Sequence, residues 1–243
     1  MFGQPVRPLG LTSHIVDSPL TVLGVGCQTS IHKLNDTLKG TTMSHDATTR
    51  KVFGLTLETI TRRILRTFDA ATASDVEAGA RWYDEAHSLA VTLSAHVDND
   101  VDRAAAVISA LSPRAPWARN VAGATALLTS GPMAARRLGC IGANVGRATR
   151  AADESLTPNP FAVFGPTAPK TRAFALNIAG DREAVTVDVW AARVADLDET
   201  LLSRVGAYDA IAHAYRLAAR RRGVDSATMQ ATCWIIQRNG RAG

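Results

Sequence analysis

Residues 164–194 read FGPTAPKTRAFALNIAGDREAVTVDVWAARV, and the prediction of the fold depends mainly on them. A glycine-proline pair at Gly165 predicts a tight turn, after which a helix opens close to Lys170. That helix is expected to end at Gly180, because glycine is the usual residue just after a helix. A short run of β-branched residues then leads to Asp188, a residue type that commonly starts helices. The pattern therefore predicts two helices, with Lys170 and Asp188 near their N-terminal ends and 18 positions apart.

Apolar residues recur at helical spacing on both sides of this stretch. The clearest sets are Leu57, Ile60, Ile64 and Phe68; Ala86, Leu89, Ala90, Leu93 and Val97; Ala104, Val107, Ile108 and Leu111; and Ile211, Ala214, Tyr215 and Ala218. Repeats of three and four residues place each set on one face of a helix. No segment of useful length alternates between apolar and polar residues as a half-buried strand does. The predicted class is therefore all-α.

Single residues set the expected ends of several helices. Asp75 is expected to cap the helix that carries the second apolar set. Pro116 suits the first turn of a helix over residues 116–129, because an N–H group in that turn has no partner inside the helix. A fifth helical element is expected over roughly residues 133–151.

Residues 1–45 differ in composition from the remainder. They are rich in glycine, proline, serine and threonine and show no sustained periodicity, which is typical of a loosely ordered leader. Residues 46–243 are expected to form one helical domain, a length that fits one large domain or two small lobes.

Positive charge is concentrated in one part of the chain. The formal net charge is +5, and no Asp or Glu occurs between Arg103 and Ala152. The arginines in this stretch are Arg103, Arg114, Arg119, Arg136, Arg137, Arg147 and Arg150. Such a surface can release counterions from a nucleic-acid backbone, so we expect it to face phosphate. The alternative is a solvated basic face with no partner.

The cysteines and the hydropathy limit the class of protein. Cys27, Cys140 and Cys233 are far apart and form neither a disulfide framework nor a C-x-x-C metal pair. An iron–sulfur cluster needs about four thiolates, so none is expected, nor is any other metal or cofactor. The chain has no run of 18 apolar residues and no signal-peptide pattern. These features predict a cytoplasmic protein without a membrane span, in the host cytoplasm if a phage encodes it.

The segment around Lys170 and Asp188 resembles the helix-hairpin-helix, Gly/Pro-Asp DNA glycosylase superfamily. The hairpin of that family reads approximately L-P-G-V-G-x-K-T-A, and V-D-T-H-V-x-R follows after a helix. Lys170-Thr171 matches the K-T, Asp188 with the valine before it matches the V-D, and Arg193 matches the final arginine. The separation of Lys170 and Asp188 is the one expected for the branch that acts as both glycosylase and lyase. The likeness covers about residues 100–236.

The turn before the lysine differs from the family pattern. Ala168 stands where a glycine is expected, Pro169 precedes the lysine, and Gly165 is the one glycine left in the turn. Proline has no N–H to donate, and alanine adopts a positive φ only at a steric cost. The turn therefore offers fewer backbone donors to a phosphate than the family's hairpin.

The resemblance implies two helical lobes with a cleft between them, with the hairpin region at about residues 160–195. It also implies a monomeric enzyme that binds DNA and flips a base into a pocket. The carboxylate of Asp188 could stabilise the positive charge that develops on the sugar, or activate a nucleophile. The amine of Lys170 could attack C1′ and form a Schiff base. Asp188 and Lys170 are thus the predicted catalytic residues, although an ordinary helix cap and a solvated lysine are the alternatives.

Residues 82–87 (WYDEAH) supply most of the predicted substrate pocket. Trp82, Tyr83, Glu85 and His87 offer stacking surfaces and hydrogen-bonding groups suited to a flipped base. The alternative is an aromatic pair that faces the core, with a hydrogen-bonded histidine. Asn177, a polar residue on an otherwise apolar helix, is assigned to the same pocket, and a buried amide with satisfied hydrogen bonds is its alternative.

Predicted DNA contacts come from two segments. Residues 113–120 (PRAPWARN) form a loop that can enter the minor groove and fill the gap left by a flipped base, or that merely caps a helix. The residues assigned to DNA there are Arg114, Trp117, Arg119 and Asn120. In the hairpin region, Gly165, Thr171, Arg172 and Arg193 are expected to lie toward phosphate groups.

The predicted function is a DNA base-processing enzyme, either an N-glycosylase or a glycosylase/lyase. Some phage enzymes on this scaffold resemble the chain in their altered hairpins and are thought to transfer groups to modified pyrimidines, so base hypermodification is an alternative. A second alternative is a catalytically inactive module that binds DNA.

Overall fold

The structure is a computed structural model, and it describes residues 44–240. These residues belong to one unit, Thr42–Gly243. They form helices and connecting turns with no β-strand among them, so the predicted all-α class is confirmed. The predicted leader at 1–45 lies outside the described residues except for its last two positions, which begin a helix.

The α-helices of the described part are numbered in chain order. They are α1 (44–53), α2 (Leu57–Asp69), α3 (Ala73–Ser94), α4 (Val101–Leu111), α5 (Trp117–Ser130), α6 (Pro132–Arg137), α7 (Gly142–Ala152), α8 (Pro169–Ala179), α9 (Val189–Val194), α10 (Ala207–Arg222) and α11 (Ser226–Arg238). Short 3-10 helices at Pro160–Phe164 and Glu199–Ser203 precede α8 and α10. No helix among residues 44–240 is long and apolar enough to cross a membrane.

Side-chain caps determine where several helices begin. The side chains of Thr56, Asp100, Asp188 and Asp225 each accept a hydrogen bond from a backbone N–H in the first turn of α2, α4, α9 and α11. The prediction for α3 was wrong, because its cap is Thr72 and not Asp75. Asp75 is the third helical residue, and its carboxylate accepts a hydrogen bond from the backbone N–H of Thr72 at 3.0 Å. This reciprocal pair is a capping box, which places an acidic residue inside the helix.

The helix predicted over residues 133–151 is divided into α6 and α7, so that prediction was also wrong. Gly139, between them, has a φ of +78°, a conformation that glycine adopts without steric cost. The neighbouring Leu138 and Ile141 are 46% and 44% exposed. The chain therefore turns between α6 and α7, and these two apolar side chains face solvent.

The first of two hydrophobic clusters surrounds α4, which packs mainly against α7 and α8. Arg103 belongs to this core and is only 3% exposed. Its guanidinium donates to the carbonyls of Ala151, Thr157 and Pro158, and it pairs with Asp100 at 3.1 Å. Arg103 therefore cannot face phosphate as predicted, because its donors hold the backbone that follows α7.

The second cluster joins α2 to the C-terminal helices α9, α10 and α11, with Ile64, Tyr215 and Met229 among its fully buried side chains. A smaller group around Tyr83 lies where α3 meets α11. At this contact, a Cβ added to Gly79 would lie 2.8 Å from the backbone nitrogen of Thr232. Glycine at this position therefore permits the close approach of α3 and α11.

Candidate functional site

A pocket of about 390 Å³ opens beside the contact between α3 and α11. Its walls come from these two helices, the first turns of α5 and α8, the loop before α5 and the link before α9. The residues that line it are Trp82, Tyr83, Ser112, Ala115, Pro116, Trp117, Asn120, Lys170, Phe174, Thr186, Asp188, Gln230, Ala231, Trp234 and Arg238. Lys170 and Asp188, the residues predicted to be catalytic, are therefore brought into one cavity.

Lys170 is the second residue of α8 and is exposed at the edge of the pocket. The N–H groups of the first turn of any helix have no partner inside it, and the N-cap of α8, Ala168, supplies no side-chain acceptor for them. The hydroxyl of Ser109 donates to the carbonyl of Thr171 at 2.6 Å. This hydrogen bond fixes the start of α8 on the buried helix α4, and with it the backbone that carries Lys170.

Asp188 is the N-cap of α9 and also lines the pocket. Its Oδ1 accepts a hydrogen bond from the backbone N–H of Ala191 at 3.0 Å. Among the described residues, no donor is found for its second oxygen, Oδ2. The cap therefore uses one carboxylate oxygen, and the other remains for a ligand.

The link that leads to Asp188 is held by Asn177, which was predicted to line the pocket. The Asn177 amide nitrogen donates to the carbonyls of Asp181 and Ala184, both at 2.8 Å, and its oxygen accepts from the hydroxyl of Thr186 at 2.9 Å. Both polar atoms of the Asn177 amide are therefore hydrogen-bonded, and the residue is 1% exposed. Asn177 is therefore a structural residue behind the pocket, not a residue of its wall.

Tyr208 holds the same link from the other side. Its hydroxyl donates to the carbonyl of Val185 at 2.7 Å and accepts from the N–H of Val187 at 3.3 Å. Burial raises the pKa of Tyr208 to about 12, so the hydroxyl keeps its proton and remains a donor. Asn177 and Tyr208 together hold the backbone of the link, and this determines where Asp188 lies in the pocket.

Three of the four tryptophans of the chain line the pocket. The ring centroid of Trp82 lies 5.3 Å from that of Trp117 and 5.8 Å from that of Trp234. Phe174 packs edge-on to Trp117, and the guanidinium of Arg238 lies 4.9 Å from the Trp234 centroid. These flat surfaces with a cation at one edge suit a planar aromatic ligand that carries an anionic group.

Two of the polar side chains that line the pocket are amides, Asn120 and Gln230. The hydroxyl of Tyr83 donates to Oε1 of Gln230 at 3.0 Å, and burial raises the pKa of Tyr83 above its usual range. Asn120 is 1% exposed. Neither its Nδ2 nor its Oδ1 has a hydrogen-bond partner among the residues that the structure describes.

Glu85 and His87, both predicted for the pocket, lie away from it. Glu85 is exposed, because three helical steps turn it about 60° from Trp82. The Nδ1 of His87 is 2.9 Å from the carbonyl oxygen of Ile178. That carbonyl is near the C-terminal end of α8, about 12 Å along the helix from Lys170. Of the aromatic cluster at 82–87, only Trp82 and Tyr83 therefore reach the cavity.

Some residues of the segment 113–120 line the pocket, and others face solvent. Trp117 and Asn120, which were predicted to enter a groove of DNA, line the pocket. Arg114 and Arg119 are exposed. Arg114 also has a φ of +62°, which is uncommon for a residue with a side chain.

The hairpin-region residues predicted to contact DNA are dispersed. Gly165, with a φ of +59°, and Arg172 are exposed, whereas Thr171 is buried against α4. Arg193 pairs with Glu199 at 2.8 Å and lies over the ring of Trp190. Thr171 cannot present its side chain to a phosphate at the surface, because the first turn of α8 packs it inward.

Among the lining residues that were not predicted are Phe174, Gln230, Trp234 and Arg238. The last three are spaced by four residues along α11, so they form a stripe on one helix face. A glutamine, a tryptophan and an arginine in one stripe are unusual for a helix whose other residues are mostly buried. This spacing was the signal in the sequence that could have identified them.

Five exposed arginines on the loop before α5 and on α5, α6 and α7 are together termed the arginine surface. It comprises Arg114, Arg119, Arg136, Arg137 and Arg150, all exposed and none paired with an acidic side chain among the described residues. The amide of Asn144, in the first turn of α7, donates to the carbonyl of Pro113 at 3.3 Å. This contact joins α7 to the loop that forms one wall of the pocket.

A family model described as a family of unknown function (DUF7178) matches residues 46–241. Comparison with curated proteins and with solved structures gives no match.

Proposed function

The chain belongs to the DUF7178 family, whose function is unknown, and we propose that it is a DNA base-processing enzyme. The proposed reaction is cleavage of the N-glycosidic bond of a base that has been flipped out of the duplex. If Lys170 is the nucleophile that attacks the sugar, the reaction is that of a glycosylase/lyase. The family match carries no information on the reaction, so the proposal rests on the pocket.

One observation carries the proposal. Lys170 and Asp188 line the same pocket as Trp82, Trp117 and Trp234. Indole rings can stack with any base, because every base has a π-face. A carboxylate and an amine beside such a surface are the groups that glycosidic cleavage requires.

The chemistry follows from these two side chains. As the bond between C1′ and the base nitrogen breaks, its electron pair leaves with the base, which then takes up a proton. Positive charge develops on the sugar ring, and the free Oδ2 of Asp188 can stabilise it electrostatically. A water molecule, or the neutral amine of Lys170, forms the new bond to C1′. In the second case the ring oxygen leaves C1′ and takes up a proton, and an iminium ion links Lys170 to the sugar.

The arginine surface supports DNA as the carrier of the base. Its five unpaired side chains can bind phosphates without reading sequence. Because α7 contacts the pocket loop through Asn144 and Pro113, a strand bound there would pass close to the pocket. Arg238, within the pocket, is a further cation for a phosphate next to the flipped nucleotide.

Asp188→Asn tests the role of the carboxylate separately from the fold. Asparagine is an equally good N-cap, so the variant should keep the hydrogen bond to Ala191 and remain folded. Duplexes that carry uracil, oxidised bases or hydroxymethylated bases are incubated with protein and then heated in alkali. The rate of strand breakage should fall about 100-fold or more in the variant. Asp198→Asn, at the cap of the 3-10 helix Glu199–Ser203 outside the pocket, is the matched control, and full activity of Asp188→Asn would refute the assignment.

Borohydride trapping tests Lys170. The hydride reduces the iminium ion to a stable amine, and the chain has only four lysines, so peptide mapping identifies the attachment site. Lys170→Arg keeps the charge but cannot form the adduct, whereas Lys51→Arg should trap normally. Base release without any adduct excludes the lyase step. A new, heavier nucleoside in the mass spectrum would instead favour hypermodification, and salt-sensitive binding with every base left unchanged would favour the inactive module.

A further inference from the structure

We propose that α1 is an acid-releasable helix, which is docked on α10 while His45 and His213 are both neutral and detaches more readily once His213 is protonated. The two imidazole rings are stacked, with their centroids 4.0 Å apart and an angle of 16° between their planes. His45 is the second residue of α1, and His213 lies within α10. The stack therefore joins two helices that are far apart in the sequence. This inference concerns the fold and is independent of the proposed reaction.

One nitrogen of the His213 ring limits the charge state that fits the docked arrangement. Its Nε2 is buried and has no hydrogen-bond partner among residues 44–240. A neutral imidazole carries a proton on one nitrogen, whereas an imidazolium carries one on each and therefore places an N–H at Nε2. A buried, charged donor without an acceptor is costly. The docked arrangement therefore favours the neutral ring, and protonation favours an arrangement in which Nε2 reaches water.

The charges around the stack also oppose protonation. Burial lowers the pKa of His213 to about 4, and His45, Arg220 and Arg216 contribute in the same direction. Cations outnumber carboxylates among the charged side chains of the elements that meet at the two rings, which are Asp46, Arg50 and Lys51 of α1, Arg204 after the second 3-10 helix, and Asp209, Arg216 and Arg220 of α10. Detachment of α1 would remove His45 from the His213 ring and open that ring to water.

Other contacts of α1 do not change between neutral pH and mild acid. The guanidinium of Arg204 donates to the carbonyl of Val52 at 3.1 Å, and Thr49 and Val52 are buried. Asp46 accepts from the backbone N–H of Leu57 at 2.8 Å. That hydrogen bond lowers the pKa of Asp46, with Arg50 contributing in the same direction, so the carboxylate stays ionised in mild acid. These contacts hold α1 in both charge states of His213, so acid should shift the docking equilibrium by a measurable factor.

Hydrogen exchange of the full chain, followed by mass spectrometry at pH ~7.5 and ~5, measures this shift. Each exchange rate is divided by the rate of an unstructured chain at the same pH, because exchange itself depends on pH. The protection of the α1 amides should fall about fivefold or more in acid, after allowance for solvent screening at the half-buried His213. Protection of α1 that does not change with pH would overturn the proposal. So would α1 amides that exchange only as rapidly as the most protected amides of α4, because opening would then be global.

Variants assign the effect to His213. His213→Phe keeps a ring against His45 but cannot be protonated, so α1 protection should change less than about twofold between the two pH values. His213→Gln, which also cannot be protonated, should give the same result with a polar side chain. His96→Phe replaces an exposed histidine after α3 and should keep the full wild-type dependence. A fall in both His213 variants as large as in the wild-type chain would overturn the role of this residue.

Discussion

Replacing Asn120 by leucine should stabilise the protein, although the side chain is almost completely buried. The wild-type amide is 1% exposed and has no hydrogen-bond partner among the described residues. A buried polar group left unsatisfied costs about 1–3 kcal/mol, and leucine removes that cost. Fitting a branched side chain into the same space costs about 1–3 kcal/mol where packing is tight, but one side of Asn120 faces the pocket. The net gain should be about 1 kcal/mol, equivalent to a rise of about 2–4 °C in Tm.

Urea unfolding followed by circular dichroism measures this change as a shift of the midpoint at constant slope. Asn144→Leu is the matched control, because Asn144 is also buried but donates to the carbonyl of Pro113 at 3.3 Å. Loss of that bond should destabilise the control by about 1 kcal/mol. If Asn120→Leu is destabilised as much as the control, the Asn120 amide has partners in solution, and the reasoning that treats it as an unsatisfied group fails.

Two further predictions concern packing and pH. Gly79→Ala should destabilise the fold by about 1–3 kcal/mol in urea unfolding, because its Cβ would lie 2.8 Å from the Thr232 nitrogen. Adding Thr232→Ala should restore only part of this loss, and full recovery would contradict a backbone contact. Burial, the stacked His45 and nearby arginines lower the pKa of His213 to about 4. The unfolded chain therefore binds the proton first, and stability should fall by about 1 kcal/mol, after allowance for solvent screening, between pH ~6.5 and ~4. His213→Gln should lose this dependence.

Local patterns predicted the helices well where burial and capping agreed. The sets that begin at Leu57 and Ala104 lie on α2 and α4, and Gly180 ends α8 in the left-handed conformation, as expected. The prediction failed at Gly139, where the chain turns between α6 and α7 with a φ of +78°. Glycine is also tolerated inside a helix, so the residue type alone does not show where a helix is divided.

The site was predictable to the extent that its residues have a local signature. Lys170 and Asp188 each stand near a helix start, and both line the pocket. Asn177 and Asn120 show that the sequence alone does not reveal whether a buried amide has hydrogen-bond partners. Both are asparagines on apolar helices, yet the first has its amide satisfied by the link before Asp188 and the second has no partner among the described residues. Which of the two amides is satisfied depends on backbone carbonyls that are close only in the folded chain.

The roles of helix cap and catalytic carboxylate do not exclude each other at Asp188. The cap requires one acceptor, and Oδ1 supplies it to the N–H of Ala191. A carboxylate has a second oxygen, Oδ2, which the cap does not use. The hydrogen bond also restricts rotation of the side chain, so that Oδ2 is presented from a fixed position. A residue that is more often a simple cap is, in this geometry, better placed for charge stabilisation than a mobile carboxylate would be, because preorganised groups need no rearrangement during the reaction.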